Sequence, residues 1–370
     1  MKRRALLIHF CKVVFLNILI FYLLAESILG WLRLPREYKK PVKTHQFQPV
    51  LDSGILYINK PNTKIGIHYD GNPRGYFRKD NIVDHRTNRH GFRGPDFVIP
   101  PPEDVFRIVF LGDSVTFGEG VYERDVYPQK FFQMGFREKL FYPKKIEVIN
   151  LGVGGYNTQQ EWALLQREGT QLSPDMIILG YSLNDPEPPL FQWNHRGMMR
   201  RNREQDVQGK IPRLGEAPWP VRISHVHQLI WLYRQKQKIT QLTISYYRSL
   251  YDEASPNWQK TQTALSALRD YAVSRDIPLV VVIFPVLYQV NDRYPLQDVH
   301  RKLHELLQQL HVPYIDLLTR LKGYQDLELW VHPSDSHPNE IVHQIAAEAL
   351  LEKLRQTGTQ SVSFGRFLSE

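Results

Sequence analysis

The chain has 370 residues, of which 42% are hydrophobic and 23% charged, values that suit a folded protein with a sizeable core rather than a disordered one. The formal net charge is +9, but residues 1–43 carry most of this excess, with nine Lys or Arg against two Glu. The remainder is close to neutral, so the basic segment is expected to meet anionic lipid rather than nucleic acid. The sole cysteine, Cys11, lies in that segment, which excludes an internal disulfide framework and a thiolate metal site.

An apolar stretch covers residues 13–32 and reads VVFLNILIFYLLAESILGWL. Its length of about twenty residues is what a helix needs to cross a bilayer. No small-residue cleavage site of the A-x-A kind follows, so the sequence predicts an uncleaved signal anchor in a single-pass membrane protein. An amphipathic surface helix is disfavoured, because residues 13–24 are apolar nearly all round. Lys and Arg flank both sides almost equally, so charge does not decide the orientation.

Residues 44–104 are rich in turn formers and predict a small extended layer after the anchor and basic flank of residues 1–43. Within this layer RTNRHGFRGPDF (86–97) is open to two interpretations, a functional loop or a surface turn. Residues 186–256 predict an insertion with a helix around 226–250, which is either a cap over the site or a packing subdomain. Residues 357–370 read as a tail.

Between these parts, short apolar runs alternate with helical stretches, which predicts a three-layer α/β domain over residues 105–356. Fully apolar runs bounded by turns suit strands that are buried on both faces of a mainly parallel sheet. The predicted strands are 107–111, 146–151, 176–180, 277–284 and 312–317. The predicted helices lie near 125–140, 158–170, 258–274 and 296–310, with a last helix that starts around Pro338 and carries this proline in its first turn.

Three segments at the ends of predicted strands carry candidate chemistry. Ser114 follows RIVFLGD, Gly155 lies in INLGVGGYNT, and Asn184 lies in LGYSLNDPEPP. A serine at the rim of an open α/β sheet can act as a nucleophile, and a glycine amide or an asparagine amide can donate to an oxyanion. Taken singly, each segment has a plain structural interpretation, namely a helix cap at Ser114 and turns at the other two.

A fourth segment, HPSDSHPNE (332–340), precedes the last helix. His337 is suited to act as general base near neutral pH, and Asp335 could hold it in the required tautomer. His332 is the weaker candidate for the base. A metal site of His332, Asp335 and His337 is disfavoured, because no other ligand cluster accompanies it, and no metal or cofactor is expected.

These four segments, in this order, resemble the SGNH hydrolase superfamily, also called GDSL-type esterases and lipases. The resemblance covers roughly residues 106–356 and implies a flavodoxin-like α/β/α fold. It implies that Ser114 is the nucleophile and that His337 and Asp335 are the base and its orienting acid. It further implies an oxyanion hole formed by the amides of Ser114 and Gly155 and the side chain of Asn184.

Two features depart from the family pattern. The usual last block is D-x-x-H, whereas this chain reads Asp335-Ser336-His337 and has Ser334 in the usual place of the acid. Some bacterial branches resemble this chain in reading D-x-H-P-N. The third block is usually G-x-N-D, whereas GYSLND has extra residues between Gly180 and Asn184.

The predicted function is therefore the hydrolysis of carboxylic esters, with short-acyl or acetyl esters preferred. The anchor, the N-x-x-G-F-R-G loop and the GDS block resemble a bacterial envelope branch, in which some relatives act on acetyl groups of cell-surface polysaccharide. That resemblance implies an extracytoplasmic catalytic domain, an ester or acylated saccharide as substrate, and the membrane as partner. Two alternatives stay open: an O-acyltransferase that modifies a cell-surface polysaccharide, and a catalytically silent polysaccharide-binding or scaffold protein.

Overall fold

A computed structural model of the chain describes residues 2–44, 46–50, 54–193, 199–201 and 214–356. The chain divides into two compact units, one formed by Met1–Tyr38 with Gln208–Thr243 and the other by Lys39–Val207 with Ile244–Glu370. The predicted tail 357–370 lies outside the described residues, as do residues 194–198 and 202–213 of the predicted insertion.

The secondary structure alternates between strands and helices over most of the second unit. The helices are α1 (Lys2–Trp31), α2 (Ser114–Phe117), α3 (Tyr127–Arg137), α4 (Thr158–Leu172), α5 (Trp219–Arg222), α6 (His225–Leu250), α7 (Pro256–Ser274), α8 (Gln297–Gln309), α9 (Leu318–Leu321), α10 (Asp326–Leu329) and α11 (Glu340–Gln356). The strands are β1 (Val42–Lys43), β2 (Phe47–Pro49), β3 (Tyr57–Asn59), β4 (Lys64–His68), β5 (Ile82–Arg86), β6 (Val105–Gly112), β7 (Lys145–Asn150), β8 (Met176–Ser182), β9 (Phe191–Trp193), β10 (Met199–Arg201), β11 (Leu279–Phe284), β12 (Tyr314–Asp316), β13 (Trp330–His332) and β14 (Asp335–Pro338).

The first unit contains α1, α5 and the N-terminal part of α6. Within α1, Leu6–Trp31 is long and apolar enough to cross a membrane, with a mean hydropathy of 2.2 and no burial inside the protein. It is the one helix among the described residues that meets this test, which a signal sequence near the N-terminus would also meet. The helix begins well before the predicted residue 13, because the residues around Lys12 are good helix formers and a lysine stem tolerates apolar surroundings.

A five-stranded parallel sheet in the order β12-β11-β8-β6-β7 forms the centre of the second unit. Counted along the chain this is the 2-1-3-4-5 order of flavodoxin-like folds, so the predicted α/β fold is confirmed. Both β8 and β11 are buried along their whole length. Their sequences are therefore continuous apolar runs rather than alternating ones.

Helices cover both faces of this sheet. α3 packs with α11, and α4 packs with α7. Because crossovers between parallel strands are right-handed, the connection from β6 to β7 places α3 on one face, and the connections that return across the sheet place α4, α7 and α8 on the other. This arrangement gives the predicted three layers.

Smaller antiparallel sheets surround this core. Residues 44–104 and the adjoining β1 form one sheet of β1, β4 and β5 and another of β2 and β3. β13 pairs with β14 just before α11.

The start of the last helix differs from the prediction. α11 begins at Glu340, and Pro338 lies in β14, opposite Trp330 of β13. Asn339 caps the helix instead, since its Oδ1 accepts a hydrogen bond from the Ile341 amide at 2.9 Å. Pairing with β13 keeps residues 335–338 extended, and this tertiary interaction overrides the local preference of proline for a first helical turn.

Candidate active site

Three of the predicted site residues come from loops that follow neighbouring strands. Ser114 follows β6, Gly155 follows β7, and Asn184 follows β8. Because β6 lies between β7 and β8 and all three are parallel, their carboxyl ends meet at one edge of the sheet, where the strand order reverses. Each of these residues is partly exposed although its chain neighbours on both sides are buried. The fold therefore gathers them at the rim where open α/β sheets bind ligands.

The turn at Ser114 is fixed by the residue before it. Asp113 Oδ1 accepts a hydrogen bond from the Val115 amide at 2.8 Å and so caps α2. Ser114 is the first residue of that helix, so the interpretation of Ser114 as a helix cap is wrong. At this position the Ser114 amide has no acceptor inside the helix.

His337 joins the nucleophile candidate to the acid candidate. His337 Nε2 lies 3.0 Å from Ser114 Oγ, and His337 Nδ1 lies 2.5 Å from Asp335 Oδ1. When Nδ1 donates to the carboxylate, Nε2 is left with the lone pair that accepts a proton from the serine. The prediction placed Asp335 and His337 on a loop, whereas both lie on β14.

His332 and Ser334, which belong to the same segment, interact with each other. His332 Nδ1 lies 2.8 Å from Ser334 Oγ, and it also accepts a hydrogen bond from the Ser334 amide at 3.2 Å. Ser334 stands in the usual place of the family's acid, but its hydroxyl contacts His332. The contact with His337 Nδ1 is made by Asp335.

Asp335 is held from two sides. Its Oδ2 accepts a hydrogen bond from Tyr69 Oη at 2.8 Å, and its Oδ1 also accepts from the His337 amide at 3.2 Å. Burial raises the pKa of Asp335, but the His337 ring, Lys43 and the Tyr69 hydroxyl outweigh this and hold the pKa well below its usual value. The carboxylate is therefore ionised at neutral pH and can stabilise a protonated His337.

A second carboxylate lies beside this pair. Glu119 Oε1 is 3.7 Å from His337 Nδ1, and the Glu119 side chain, which is only 6% exposed, forms an ion pair with Lys43. Glu119, Asp335 and His337 each offer one ligand atom, close enough together to hold a metal ion. A cation there would have to displace Lys43 from Glu119 and His337 from Asp335, so the donors present favour the hydrogen-bonded state.

A second group that could hold a metal consists of His300, His304 and Asp316. Both imidazoles lie 2.7 Å from the same Asp316 Oδ2. Atoms bound to one tetrahedral zinc at about 2.0–2.1 Å are roughly 3.3 Å apart. The shorter spacing is that of two hydrogen bonds to a shared carboxylate oxygen.

The oxyanion-hole candidates occupy the same rim. Gly155 has φ +77°, and an added Cβ would lie 2.4 Å from Leu190 Cδ2, so the turn requires glycine on both counts. Asn184 Nδ2 donates to Asp113 Oδ2 at 3.2 Å. That bond uses one amide hydrogen and orients the plane that carries the other.

Buried carboxyl groups adjoin these segments. Asp185 accepts a hydrogen bond from Thr158 Oγ1 at 2.8 Å, while burial and then repulsion by Asp113 raise its pKa. Burial also raises the pKa of Glu187, to about 7, against the effect of a hydrogen bond with Tyr246. Glu187 therefore titrates near neutral pH in the folded protein.

Arg93, from the loop at residues 86–97, is 3% exposed and reaches the C-terminal end of α2. Its Nη1 donates to the carbonyls of Phe117 and Gly118, both at 2.6 Å, and its Nη2 donates to the carbonyl of Val121 at 2.7 Å. The Arg93 backbone also forms a bridge with Asn150 at the end of β7. A surface turn does not describe this loop, because Arg93 is buried and donates to carbonyls at the end of α2 and just beyond it.

The profile of the GDSL-like lipase/acylhydrolase family matches residues 110–345. The match covers more than half of the chain and includes Ser114, Gly155, Asn184, Asp335 and His337. The chain belongs to this family. Membership of this family places the chain among the serine esterases.

The individual relatives described next share low sequence identity with this chain. An acetylxylan esterase of Xylanibacter ruminicola is 25% identical to this GDSL-family chain over 121 residues, which are 31% of the chain and 24% of the relative. The chain thus matches about a quarter of the length of that relative. An acetylxylan esterase structure from Geobacillus stearothermophilus matches with 15% identity and a TM-score of 0.40, over 67% of this chain and 93% of that one. The psychrotrophic esterase EstA from Pseudoalteromonas sp. matches with 13% identity and a TM-score of 0.39, over 68% and 97%.

Several residues that contact the GDSL-family segments lie outside the matched range. Lys43, Tyr69 and Arg93 all come from the N-terminal layer or its edge and reach Glu119, Asp335 and α2 respectively. Sequence reasoning missed Lys43, Tyr69 and Glu119. Only the loop of Arg93 gave a signal, through its glycines and arginines, and that signal did not single out one residue.

Proposed function

We propose that the protein hydrolyses carboxylic esters with Ser114 as nucleophile, His337 as general base and Asp335 as orienting acid. The observation that carries this proposal is the unbroken series of contacts from Ser114 Oγ through the imidazole, at 3.0 Å, to Asp335 Oδ1, at 2.5 Å. Both contacts are within the reach over which a nucleophile, a base and its orienting group act together.

In the first step Ser114 Oγ attacks the ester carbonyl carbon while His337 Nε2 takes the hydroxyl proton. The tetrahedral intermediate then expels the alcohol, which receives that proton from His337, and the acyl group stays on Ser114. Water next attacks the acyl carbon and gives a proton to Nε2, and the proton returns to Ser114 Oγ as the carboxylic acid leaves. Asp335 remains ionised throughout and stabilises the imidazolium.

The negative oxygen of each tetrahedral intermediate needs hydrogen-bond donors. We assign this role to the amides of Ser114 and Gly155 and to the side chain of Asn184. Support comes from the first-position amide of Ser114, from the glycine-only turn at Gly155 and from the bond that orients Asn184 on Asp113. Loss of one such donor typically costs about 10²–10³ in kcat.

The proposed substrates are short-acyl esters, in particular acetyl esters on a saccharide. Leu190 packs against Gly155, one of the proposed oxyanion donors, and we expect this apolar side chain to favour a small acyl group. The region matched in the Xylanibacter ruminicola relative, which is named an acetylxylan esterase, is consistent with an acetylated saccharide.

The test is turnover of p-nitrophenyl acetate by the full-length protein in detergent. We expect Ser114→Ala to lower kcat by at least about a thousandfold. Ser334→Ala serves as matched control, because that hydroxyl contacts His332, and it should retain activity. Undiminished turnover in folded Ser114→Ala would refute the assignment. If folded wild-type protein fails to react with a fluorophosphonate probe, the silent binding protein is the correct alternative.

An O-acyltransferase would follow the same steps with a sugar hydroxyl in place of water. Product analysis separates the two reactions: the enzyme is incubated with an acetyl donor, with and without polysaccharide, and free acetate is compared with acetylated saccharide. Hydrolysis predicts free acetate under both conditions. Acetylated saccharide as the main product would establish transfer instead.

We further propose that α1 is retained as a single-pass anchor and that the second unit is extracytoplasmic. Support comes from the apolar length of α1, and a large C-terminal portion can be exported regardless of modest flanking charge. Intact mass of the membrane-bound protein tests retention, and protease accessibility from outside the cytoplasmic membrane tests the orientation.

A further inference from the structure

The apolar helix α1 carries an acidic residue that has partners elsewhere in the first unit. Glu26 Oε2 accepts a hydrogen bond from the His225 amide at 2.8 Å, and Glu26 Oε1 accepts from the Val226 amide at 3.1 Å and from the Ser224 hydroxyl. Glu26 therefore satisfies the free amides at the start of α6. A carboxylate in an apolar helix is costly unless it is paired, so these bonds account for its presence there.

Further contacts extend this attachment along the chain. Tyr22 Oη lies 2.8 Å from Ser224 Oγ, and His225 Nδ1 lies 3.0 Å from the Leu34 carbonyl. Beyond the helix, Glu37 accepts a hydrogen bond from the Leu214 amide at 2.6 Å. The segment before and at the start of α6 is thus tied to the C-terminal end of α1 and to the residues that follow it.

The position of Glu26 along α1 sets the depth of this attachment. Residues 6–25, which are mostly apolar, cover about 30 Å at 1.5 Å per residue, and this matches the thickness of the hydrocarbon core of a bilayer. We place this part of the span Leu6–Trp31 in the core, because it ends just before the charged Glu26. Glu26 then falls at the level of the lipid headgroups. The start of α6, which Glu26 caps, falls at the same level.

The surface that α5 and α6 present there is apolar and aromatic with basic residues between. Trp219 and Ile223 are 67% and 74% exposed, and Ile230 and Tyr233 are 44% and 63% exposed. Val226, Ile230 and Tyr233 are spaced four and three apart, so they share one face of α6. Arg222 and Arg234 are exposed in the same segment, and the exposed Lys238 follows one turn later on α6. Tryptophan and tyrosine with nearby cations are typical of the membrane–water interface.

We propose that residues 219–234 form an interfacial platform, defined as α5 with the first turns of α6, which lies on the lipid surface beside the anchor. The partner is the bilayer itself, with the apolar side chains at the headgroup boundary and the cations at lipid phosphates. Exposed apolar surface of this kind marks an interaction site, and its continuity with an apolar helix of membrane length selects lipid as the occupant. The proposal rests on the membrane anchoring proposed above.

The experiment uses the full-length protein in lipid nanodiscs. Cys11 is the only cysteine, so Cys11→Ser gives a background for single-cysteine labelling with the fluorophore NBD. The platform variants are Ile223→Cys and Ile230→Cys. Ile18→Cys within α1 is the positive control, and Val273→Cys in α7, which is 46% exposed, is the matched surface control. Doxyl-labelled lipids then report which positions touch the bilayer.

We expect the doxyl lipids to reduce NBD emission at positions 18, 223 and 230 and to leave it unchanged at position 273. Quenching at 18 with none at 223 and 230 would overturn the platform while leaving the anchor intact. NBD that is shielded at 230 but unaffected by doxyl lipid would show a protein contact, such as a second copy of the chain, and would also overturn it. Loss of quenching at 18 would instead remove the anchoring on which the platform rests.

A second pair of variants tests the link between α1 and the platform. Glu26→Leu removes the partner of the α6 amides, whereas Asn17→Leu removes a polar residue of α1 whose amide bonds only its own helix, at the Val13 carbonyl. We expect Glu26→Leu to reduce quenching at position 230, and Asn17→Leu to leave it unchanged. Equal quenching in both variants would show that Glu26 does not hold the platform at the lipid surface.

Discussion

Replacement of Arg93 tests whether the N-terminal layer holds α2, and with it the proposed nucleophile Ser114, in place. Arg93→Met keeps most of the apolar volume of the side chain and removes its three hydrogen bonds to the carbonyls of Phe117, Gly118 and Val121. Burial lowers the pKa of Arg93 to about 10, so the guanidinium is still charged at neutral pH and its hydrogen bonds are charge-assisted. Arg93→Lys keeps the charge but loses the planar fork that reaches all three carbonyls.

The magnitude follows from the groups left behind. A buried carbonyl without a donor costs about 1–3 kcal/mol, and a bond from a charged donor contributes about 1.5–3 kcal/mol. Arg93→Met also removes the desolvation penalty of the buried charge, which offsets part of this loss. We therefore expect Arg93→Met to lower the free energy of unfolding by about 3–5 kcal/mol. Arg93→Lys should lose about 1–3 kcal/mol, the equivalent of one or two bonds.

The effect on activity should exceed what a merely structural residue produces. Loosening α2 displaces the Ser114 hydroxyl, and a misplacement of about 1 Å can cost roughly a hundredfold in rate. We expect kcat for p-nitrophenyl acetate to fall with little change in KM, more in Arg93→Met than in Arg93→Lys. The assay pairs these kinetics with urea unfolding of the same preparations.

Arg89 supplies the matched control. It belongs to the same loop but is exposed, with Nη2 donating to the Phe97 carbonyl at 2.6 Å. Arg89→Met should change the free energy of unfolding by no more than about 0.5 kcal/mol and leave kcat unaltered. Wild-type kcat in folded Arg93→Lys and Arg93→Met, or equal losses in Arg89→Met, would refute the reasoning.

Three further predictions concern the site. Asp335→Asn should lower kcat by about 10³–10⁴, because it removes the anion proposed to orient and stabilise protonated His337. Near-normal steady-state turnover by the folded variant would contradict this. Glu187 has its pKa raised to about 7 by burial, so its stabilising contribution is complete below its ordinary pKa near 4.5 and is lost as pH rises towards 7. The free energy of unfolding of Glu187→Gln should therefore rise by about 3 kcal/mol relative to that of the wild type between pH 4.5 and pH 8, as measured by urea unfolding. If the two proteins show the same dependence of this free energy on pH, the prediction is wrong. Leu190→Ala should raise the kcat/KM ratio of butyrate over acetate esters, since it opens space beside Gly155, and an unchanged ratio would place the acyl group elsewhere.

The central sheet was predictable because its strands carry a local signal. Runs such as MIILG at 176–180 and IPLVVVIF at 277–284 are apolar without alternation, which only strands buried on both faces require. The rim residues were predictable for a related reason. Each follows a predicted strand, and parallel strands end at one edge.

The supports of the site gave no such signal. Tyr69 and Asp335 are in contact although 266 residues separate them in the chain, and no periodicity or turn residue marks the pair. The same holds for Lys43 with Glu119. These contacts depend on how the N-terminal layer packs. Its strands are short and its contacts join polar groups from distant parts of the chain, so the pattern of hydrophobic residues does not predict them.

The geometry of β14 explains why a single residue between the proposed acid and the proposed base suits this chain. In a strand, residues two apart point to the same face, so Asp335 and His337 project together while Ser336 projects away. Pairing of β14 with β13 holds that alternation in place, and the His337 amide adds a second bond to Asp335 Oδ1. An acid at residue 334, as the usual D-x-x-H spacing would have it, would lie before the strand, where the Ser334 side chain contacts His332. The D-x-H spacing therefore suits a base that lies on a strand, and this geometry supports the proposed roles of His337 and Asp335.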